Sequence, residues 1–260
     1  MKKIYVIGLV VLLATVLALP AQSAMWVGGE LGANFIGNSD FDIDARVGNI
    51  PVTATAGNVH FDNPQVIGGL TIGYDFVNTG FGGYAYPEWM KYFSFATDFT
   101  YNRMSIRSQQ LRLSNINVNG NVIQPFNVPV NVFLPGTRVD GYMAAWTFLF
   151  MAHYGFLPDS EVPSGRLVPY VGVGPCILFS GITSLKQLGS ASNVDIALVA
   201  EGGLRFMALK NVSIDLAFRY RYAQPSAYEF ATGALGVPAS VNLSTTVNSY
   251  SILTRVSYHF

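Results

Sequence analysis

The sequence predicts an all-β fold, an eight-stranded antiparallel transmembrane β-barrel with long extracellular loops and shorter periplasmic turns. Of its 260 residues, 50% are hydrophobic and only 12% are charged, yet no apolar run long enough for a membrane helix follows residue 24. Apolar residues instead alternate with polar ones, which is the period of a strand with one face toward lipid. The pattern is clearest at the C-terminus, where alternate positions are mainly apolar or aromatic: Tyr250, Ile252, Thr254, Val256, Tyr258 and Phe260.

The N-terminus predicts a secretory signal peptide over residues 1–24. Lys2 and Lys3 precede an apolar run at 4–19, and small residues follow that run. An uncleaved membrane anchor is the alternative, but the run is short and Pro20 ends it. The pattern leaves the cleavage point open among three positions, after Ala21, Ser23 or Ala24.

Residues 25–260 are expected to form one barrel domain, because eight segments in this range carry strand patterns. The segment at 139–156 is apolar on both faces, so its orientation is open, and we assign Trp146 and Phe150 to the lipid side. The last strand should pair with the first and so close the barrel, which leaves no strand edge exposed. The eight segments are 26–36, 66–76, 93–103, 139–156, 168–180, 196–206, 212–222 and the C-terminal stripe.

The connections between these strands alternate in length, and this predicts which way the barrel faces. Short periplasmic turns and long extracellular loops are the rule for membrane barrels. An even number of strands also returns the C-terminus to the side of the mature N-terminus. The longer links are 37–65, 104–138, 181–195 and 223–248, and the shorter ones are 77–92, 157–167 and 208–211.

Three stretches resemble the eight-stranded outer-membrane barrels of Gram-negative bacteria: PYVGVGPCILFS (169–180), AEGGLRFMALKNVSIDLAFRYRY (200–222) and the terminal SYHF (257–260). That family includes the opacity-type surface proteins and the membrane domain of outer-membrane protein A. The chain is not expected to carry the peptidoglycan-binding domain that follows the barrel in outer-membrane protein A. The resemblance implies secretion to the periplasm and residence in the outer membrane, among its lipid and lipopolysaccharide.

The resemblance leaves several activities open, since family members serve as adhesins, membrane stabilisers, narrow porin-like channels and, rarely, lipid-modifying enzymes. It also implies that the last strand is similar to the signal read by the outer-membrane assembly machinery. Deleting the final aromatic residue should therefore harm insertion. The residues of this C-terminal assembly signal are Tyr250, Ile252, Val256, Tyr258 and Phe260.

The predicted inward faces carry acidic and basic residues that would meet in a narrow lumen. An eight-stranded barrel is just wide enough for its own side chains to fill, and an unpaired charge in such an interior costs several kcal/mol. We therefore favour a plugging ion network over a polar channel for small, possibly hydrophobic, solutes. The predicted network is Glu30, Asp75, Asp98, Glu201, Asp215, Arg205, Arg219, Arg221 and Arg255.

The long link at 104–138 predicts external contacts, with an extracellular ligand left unidentified. Arg107, Arg112 and Arg138 could hold the phosphates of lipopolysaccharide, because a guanidinium binds phosphate with two parallel hydrogen bonds. The apolar segment at 121–135 could cap the barrel mouth or meet a partner. The alternative, which we favour, is that the link prolongs strands three and four into a hairpin above the membrane.

Other chemistry finds little support in the sequence, and no enzyme, cofactor or metal site is predicted. Asp40, Asp42 and Asp44 alternate, but the spacing does not fit a calcium-binding EF-hand. A hydrolase would need a serine beside His153 or His259, and the sequence identifies none. Removing the two lysines of the leader from 15 basic residues leaves 13 against 15 acidic ones, so no nucleic-acid partner is expected.

Overall fold

The structure is a computed structural model that describes residues 25–76, 85–107, 109–129, 138–185, 189–232 and 239–260. The predicted signal peptide lies outside these residues. A 3-10 helix, Glu88–Tyr92, precedes β5, and no helix in the described ranges is long and apolar enough to span a membrane. The described strands are β1 Met25–Ile36, β2 Ser39–Val47, β3 Ile50–Val59, β4 Gln65–Asp75, β5 Phe93–Arg107, β6 Gln110–Val118, β7 Asn121–Ile123, β8 Phe126–Pro129, β9 Arg138–His153, β10 Leu167–Leu185, β11 Gly189–Leu209, β12 Val212–Thr232 and β13 Ala239–His259.

Eight of these strands close into an antiparallel barrel. Their order around the ring is β1-β4-β5-β9-β10-β11-β12-β13, and β13 pairs back onto β1. In that closing pair, Trp26 lies opposite His259 and Glu30 lies opposite Arg255. The predicted closure by the C-terminal strand is therefore confirmed.

The outer wall of the barrel carries a belt of exposed apolar side chains. Leu31 is 63% exposed, Val66 74% and Ile196 77%, although soluble proteins rarely expose so many large apolar residues side by side. Each strand of the ring pairs with a neighbour on both sides, so the ring has no open edge, as a lipid environment requires. The ring is thus a transmembrane β-barrel, and its belt faces the hydrocarbon.

Strand β9, which is apolar on both faces, has the orientation that the sequence analysis preferred. Trp146 and Phe150 are about half exposed on the outside, whereas Thr147 and Leu149 are buried inside. Opposite Phe150, Phe95 of β5 and Val173 of β10 are exposed too, so the outward aromatic side chains continue from strand to strand.

The last four barrel strands are longer than predicted. The links expected at 181–195 and 223–248 are mostly strand, because β10, β11, β12 and β13 continue their pairing beyond the lipid belt. The alternation of apolar and polar residues weakens there, since the outer face of the sheet turns from lipid to water. Sequence periodicity therefore ends where the membrane ends, while the hydrogen-bonded ladder continues.

The described parts of the links expected at 37–65 and 104–138 form further strands of the barrel's own sheet rather than loops. β2 pairs with the first half of β13, β3 joins β2 to β6, and β7 and β8 pair with β6. β5 and β9 do extend to a pair between Arg107 and Arg138, as the hairpin alternative requires. Between them, however, β6 turns away and pairs with β3, while β7 and β8 pair with β6. We call β2, β3, β6, β7 and β8 the β extension.

The β extension packs its apolar side chains into the same buried cluster as the barrel interior. Phe41 and Phe61 pack with ring centroids 6.3 Å apart, and Leu113 and Phe230 are buried in the same cluster. The apolar segment at 121–135 was considered as a cap, but its described part is exposed, with Val122 at 81%. This described part lies on β7 and β8, which pair with β6, and residues 130–135 lie outside the described ranges.

The opposite end of the barrel holds short connections, at 76–92, 154–166 and 210–211, together with Met25 and Phe260. We call it the turn end. The turn at 154–166 is organised by Asp159, whose carboxylate accepts hydrogen bonds from the backbone N–H groups of Glu161 and Val162 and pairs with Arg166. The backbone N–H of Val162, aided by the guanidinium of Arg166, lowers the pKa of the Asp159 carboxyl.

Candidate functional site

The candidate site is the interior of the barrel, where inward-facing charged residues from several strands meet. Alternate positions of a strand face the lumen, and this rule brings Glu30 of β1, Asp98 of β5, Glu201 of β11 and Arg219 of β12 to one place. β5 and β12 are four places apart in the eight-stranded ring and therefore lie on opposite walls. Contacts between them cross the whole lumen.

Arg219 is the centre of this network and is fully buried. Its Nη1 and Nη2 donate to the two carboxylate oxygens of Asp98 at 3.0 and 2.7 Å, a bidentate pair across the barrel. Its Nε donates to Glu201 at 2.6 Å, and Glu30 lies 3.7 Å from Nη1. One guanidinium thus links three strands and both walls.

Arg255 forms the next layer toward the turn end. Its Nη2 lies 2.8 Å from Glu30 and 3.2 Å from Glu201, so it shares both carboxylates with the central arginine. The hydroxyl of Tyr170 donates to Glu201 at 3.0 Å and accepts from Arg255 Nη1 at 3.4 Å. Because each carboxylate has two cationic neighbours, the layers act as one network.

Arg205 belongs to a third layer at the turn end. Its Nε donates to Asp215 at 3.3 Å, and its Nη1 lies 3.9 Å from Asp75. The guanidinium also lies over the Trp26 ring, 4.8 Å from its centroid, while the indole N–H donates to Asp75 at 3.3 Å. A cation beside an aromatic face gains electrostatic stabilisation when both are shielded from water.

The structure joins every residue of the predicted network except Arg221. Its register neighbours on the adjacent strands are Val199 and Ser249, neither of which carries a charge. Nη2 contacts Thr100 at 3.4 Å, and among the described residues Nε and Nη1 have no hydrogen-bond partner. Arg221 faces inward but forms no hydrogen bond to a carboxylate among the described residues, so its place in the ion network stays a prediction.

Two aromatic members of the network were missed by the sequence analysis. Tyr170 lies opposite Gly203 and Trp26 lies opposite Gly73, so each ring rests on a neighbouring strand that has no side chain at that point. A Cβ at Gly203 would lie 2.5 Å from the Tyr170 ring, and one at Gly73 would lie 2.1 Å from the Trp26 ring. The sequence signal that could have identified these two rings is a glycine at an inward-facing position of the neighbouring strand.

The turn end also reveals a serine beside one of the histidines. Ser213 Oγ lies 3.1 Å from His259 Nε2 and 3.1 Å from Asp215 Oδ1. In a hydrolytic triad the acid orients the histidine, and the serine is open to substrate. Here the acid contacts the serine, and Ser213 is fully buried. The geometry does not resemble a hydrolytic centre.

Neither the acidic nor the basic residues of the β extension form a cluster. Asp42 accepts a hydrogen bond from Thr55 at 3.0 Å, and the part of the chain that the structure describes holds no group of three potential metal ligands. Arg112 is exposed on β6. The side chains of Arg107 and Arg138 lie outside the described parts of the chain, so a joint phosphate site stays a prediction.

The predicted assembly signal lies along the outer face of β13. Four of its side chains are 43–53% exposed: Tyr250, Ile252, Val256 and Tyr258. Phe260 follows the strand, with its ring 5.2 Å from that of Tyr258 and its N–H bonded to the carbonyl of Met25. The stripe is therefore continuous on the lipid side, down to the turn end.

No protein family and no curated protein matches the sequence. Among solved structures, the chain is similar to the outer membrane protein OprG from Pseudomonas aeruginosa, with 13% identity, a TM-score of 0.51, and coverage of 92% of this chain and 97% of that one. Neisserial surface protein A gives 12% identity, a TM-score of 0.46 and coverage of 91% and 97%. Ail, the attachment invasion locus protein of Yersinia pestis, gives 12%, 0.36, and 87% and 99%. The likeness to OprG supports the eight-stranded outer-membrane barrel fold and leaves the activity open.

Proposed function

We propose that the protein is a structural or surface-interaction protein of a Gram-negative outer membrane, in which a sealed barrel anchors an extracellular β extension. The observation that carries this proposal is the bidentate Arg219–Asp98 pair, which crosses the lumen between opposite walls. A solute path would have to break this pair. It would also have to displace the Arg219 guanidinium, which Glu201 and Glu30 contact as well. Such a rearrangement costs several kcal/mol.

The β extension supports the same proposal from the other side. Its buried apolar side chains join the cluster that fills the barrel interior, and Tyr228 of that cluster donates a hydrogen bond to Ser180 at 2.8 Å. The lumen is thus filled by polar pairs in its middle and by apolar packing above. The protein acts through its outer surface in this proposal, and it is not an enzyme.

The external contacts are assigned to the exposed outer strands of the extension. Val122 and Phe126 are exposed there, and Arg112 lies beside Phe126 and Asn127 in a shallow cleft. A basic group next to apolar side chains suits the phosphates and acyl chains of lipopolysaccharide. Replacing Arg112 by alanine should weaken binding of purified lipopolysaccharide, and Arg46→Ala on β2 is the matched control. Equal binding by both variants would argue against this contact.

Assembly is proposed to depend on the outward stripe of β13. Tyr258 and the terminal Phe260 lie at the turn end, which would face the periplasm, where a folding barrel first meets the membrane. Deleting Phe260 should lower the amount of folded protein in the outer membrane while leaving secretion intact. Normal membrane levels of the deletion variant would contradict the proposed signal.

Cysteine labelling on intact cells tests the location and direction of the barrel. The native Cys176 is fully buried in the lumen and should stay unlabelled. A membrane-impermeant maleimide should modify Val122→Cys at the extension, and it should modify Lys210→Cys at the turn end only after the cells are opened. Labelling of Lys210→Cys alone on intact cells would reverse the orientation. Labelling of neither variant in either preparation would refute the exposure of both sites.

A further inference from the structure

A cavity of about 820 Å³ opens at the turn end of the barrel. It lies between the 3-10 helix, the turn at 154–166, the β11–β12 turn and the last residues of β13. Its volume falls within the usual range for small-molecule sites, about 300–1,000 Å³. We call it the turn-end cup. It lies beyond the central layers around Arg219 and Arg255, and Arg205 and Asp75 of the third layer line its floor.

The floor of the cup presents two buried nitrogen atoms that have no partner among the described residues. They are Arg205 Nη2 and His153 Nε2. The Arg205 side chain is only 5% exposed, and its Nε and Nη1 are committed to Asp215 and Asp75. A buried donor without an acceptor costs about 1–3 kcal/mol, more if it is charged. An oxyanion in the cup would relieve this cost for the Arg205 guanidinium.

The wall and rim of the cup indicate which other chemical groups such an anion would have. Tyr92 and Tyr154 stack with ring centroids 5.7 Å apart and an angle of 16° between the planes, which gives the cup a flat aromatic side. Lys91 and Lys210 add positive charge at the rim.

Two carboxylates also face the cup, but both have cationic or N–H partners. Asp75 accepts the indole N–H of Trp26 and lies near Arg205, and Glu161 pairs with Arg166 at 2.8 Å. Their charges are therefore partly balanced within the protein. The groups left to a ligand are an unpartnered guanidinium N–H, an imidazole nitrogen, the rim lysines and an aromatic surface.

We propose that the turn-end cup binds a small organic oxyanion, a carboxylate or a phosphate monoester with an apolar body. Its oxygen atoms accept a hydrogen bond from Arg205, the rim lysines add positive charge, and its apolar part lies on Tyr92 and Tyr154. Because the cup opens at the end opposite the β extension, the ligand reaches it from the periplasmic side. The site thus gives the barrel a second binding surface, independent of the external contacts.

Calorimetric titration of the whole purified barrel, in an uncharged maltoside detergent, tests this inference. Benzoate and phenyl phosphate are the two probes, and benzylammonium is the control of opposite charge. Saturable binding of either anion, with none of benzylammonium, is the expected result. The probe that binds more tightly indicates whether the natural ligand is a carboxylate or a phosphate monoester. Absence of saturable binding by both anions, or equal binding of benzylammonium, would overturn the proposal.

Three variants locate the binding. Arg205→Lys keeps a cation beside Asp215 but loses the free N–H. It should lower the binding affinity for the anion about tenfold or more. Lys210→Glu, in an exposed turn where folding is not at stake, should also weaken it. Arg112→Glu makes the same reversal of charge at the opposite end and should bind normally. If Lys210→Glu and Arg112→Glu both bind like the parent, the anion is not in the cup.

Discussion

Arg219 and Arg221 lie two positions apart on β12, and both are buried in the lumen. They differ in what they contact, since Arg219 holds Asp98, Glu201 and Glu30, whereas Arg221 reaches Thr100. Burial of a charge therefore does not by itself measure its contribution to stability. The loss of stability on removing a buried charged side chain depends on whether its partners of opposite charge are left unpaired.

These two arginines give a matched pair of variants. Arg219→Met should lower the free energy of unfolding by about 3–5 kcal/mol, because it leaves buried carboxylates without their cation. Arg221→Met removes a guanidinium that has no carboxylate partner among the described residues, so its loss should be far smaller or absent. Urea unfolding in detergent measures both. Equal destabilisation by the two variants would contradict the assigned network.

A second residue-scale prediction concerns two neighbouring glycines of β11. A Cβ at Gly203 would press into the Tyr170 ring, whereas one at Gly202 would meet nothing within 4 Å. Gly203→Ala should therefore destabilise the barrel by about 1–3 kcal/mol, the usual cost of overpacking, and Gly202→Ala should be nearly neutral. Thermal unfolding followed by gel migration compares them. A neutral Gly203→Ala would show that Tyr170 is free to move.

At the residue scale, the sequence predicts which way a side chain faces better than it predicts which other side chains it contacts. The period of two places Asp98, Glu201 and Arg219 inward without any knowledge of the structure. Which of these side chains meet depends on the stagger between strands that are far apart in the chain. No local pattern contains that stagger, so the isolation of Arg221 and the role of Tyr170 could not be derived.

At the scale of elements, the β extension continues the barrel's sheet and shares one buried apolar core with it. Phe230 belongs to that core and is 2% exposed, whereas Phe126 lies on an outer strand and is 48% exposed. The two residues make a test of whether the extension is packed. They also test whether it is separable from the barrel, since neither residue lies in the ion network.

Phe230→Ala should loosen the extension while leaving the barrel folded. Removing a buried phenylalanine side chain costs about 3–5 kcal/mol, and this loss falls on the strands that pack against it. We expect faster proteolysis of the extension and an unchanged heat-dependent shift of the barrel on a gel. Phe126→Ala is the control and should behave like the parent. Similar proteolysis of both variants would mean that the buried core does not hold the extension together.

Element boundaries were predicted well inside the membrane and poorly above it. β1 and β4 match the segments 26–36 and 66–76 within one residue, because lipid on one side enforces strict alternation. β13 begins at Ala239, far before the stripe at Tyr250, and β2 and β3 were expected as a loop. They pair with each other as a local hairpin, but their other partners are β13 and β6, which are distant in sequence, so short-range patterns could not reveal how the hairpin joins the sheet.

At the scale of the whole molecule, the barrel places two different surfaces on opposite sides of a closed wall. The exterior carries an apolar belt, the middle of the lumen holds the charged layers, and the β extension continues the sheet beyond the belt. The short connections lie together at the turn end, as the sequence predicts, and the side of the membrane that this end faces stays a prediction. The fold could be predicted from the sequence because a membrane barrel repeats one simple pattern eight times. The surfaces that would give it a function do not repeat.

Conductance across a planar lipid bilayer tests the sealed lumen most directly. The purified wild-type barrel, inserted at known density, should give no discrete conductance steps, because the Arg219–Asp98 pair and the layers around it fill the width of the lumen. Reproducible single-channel steps from the wild-type protein would contradict the account and favour a narrow channel for small solutes.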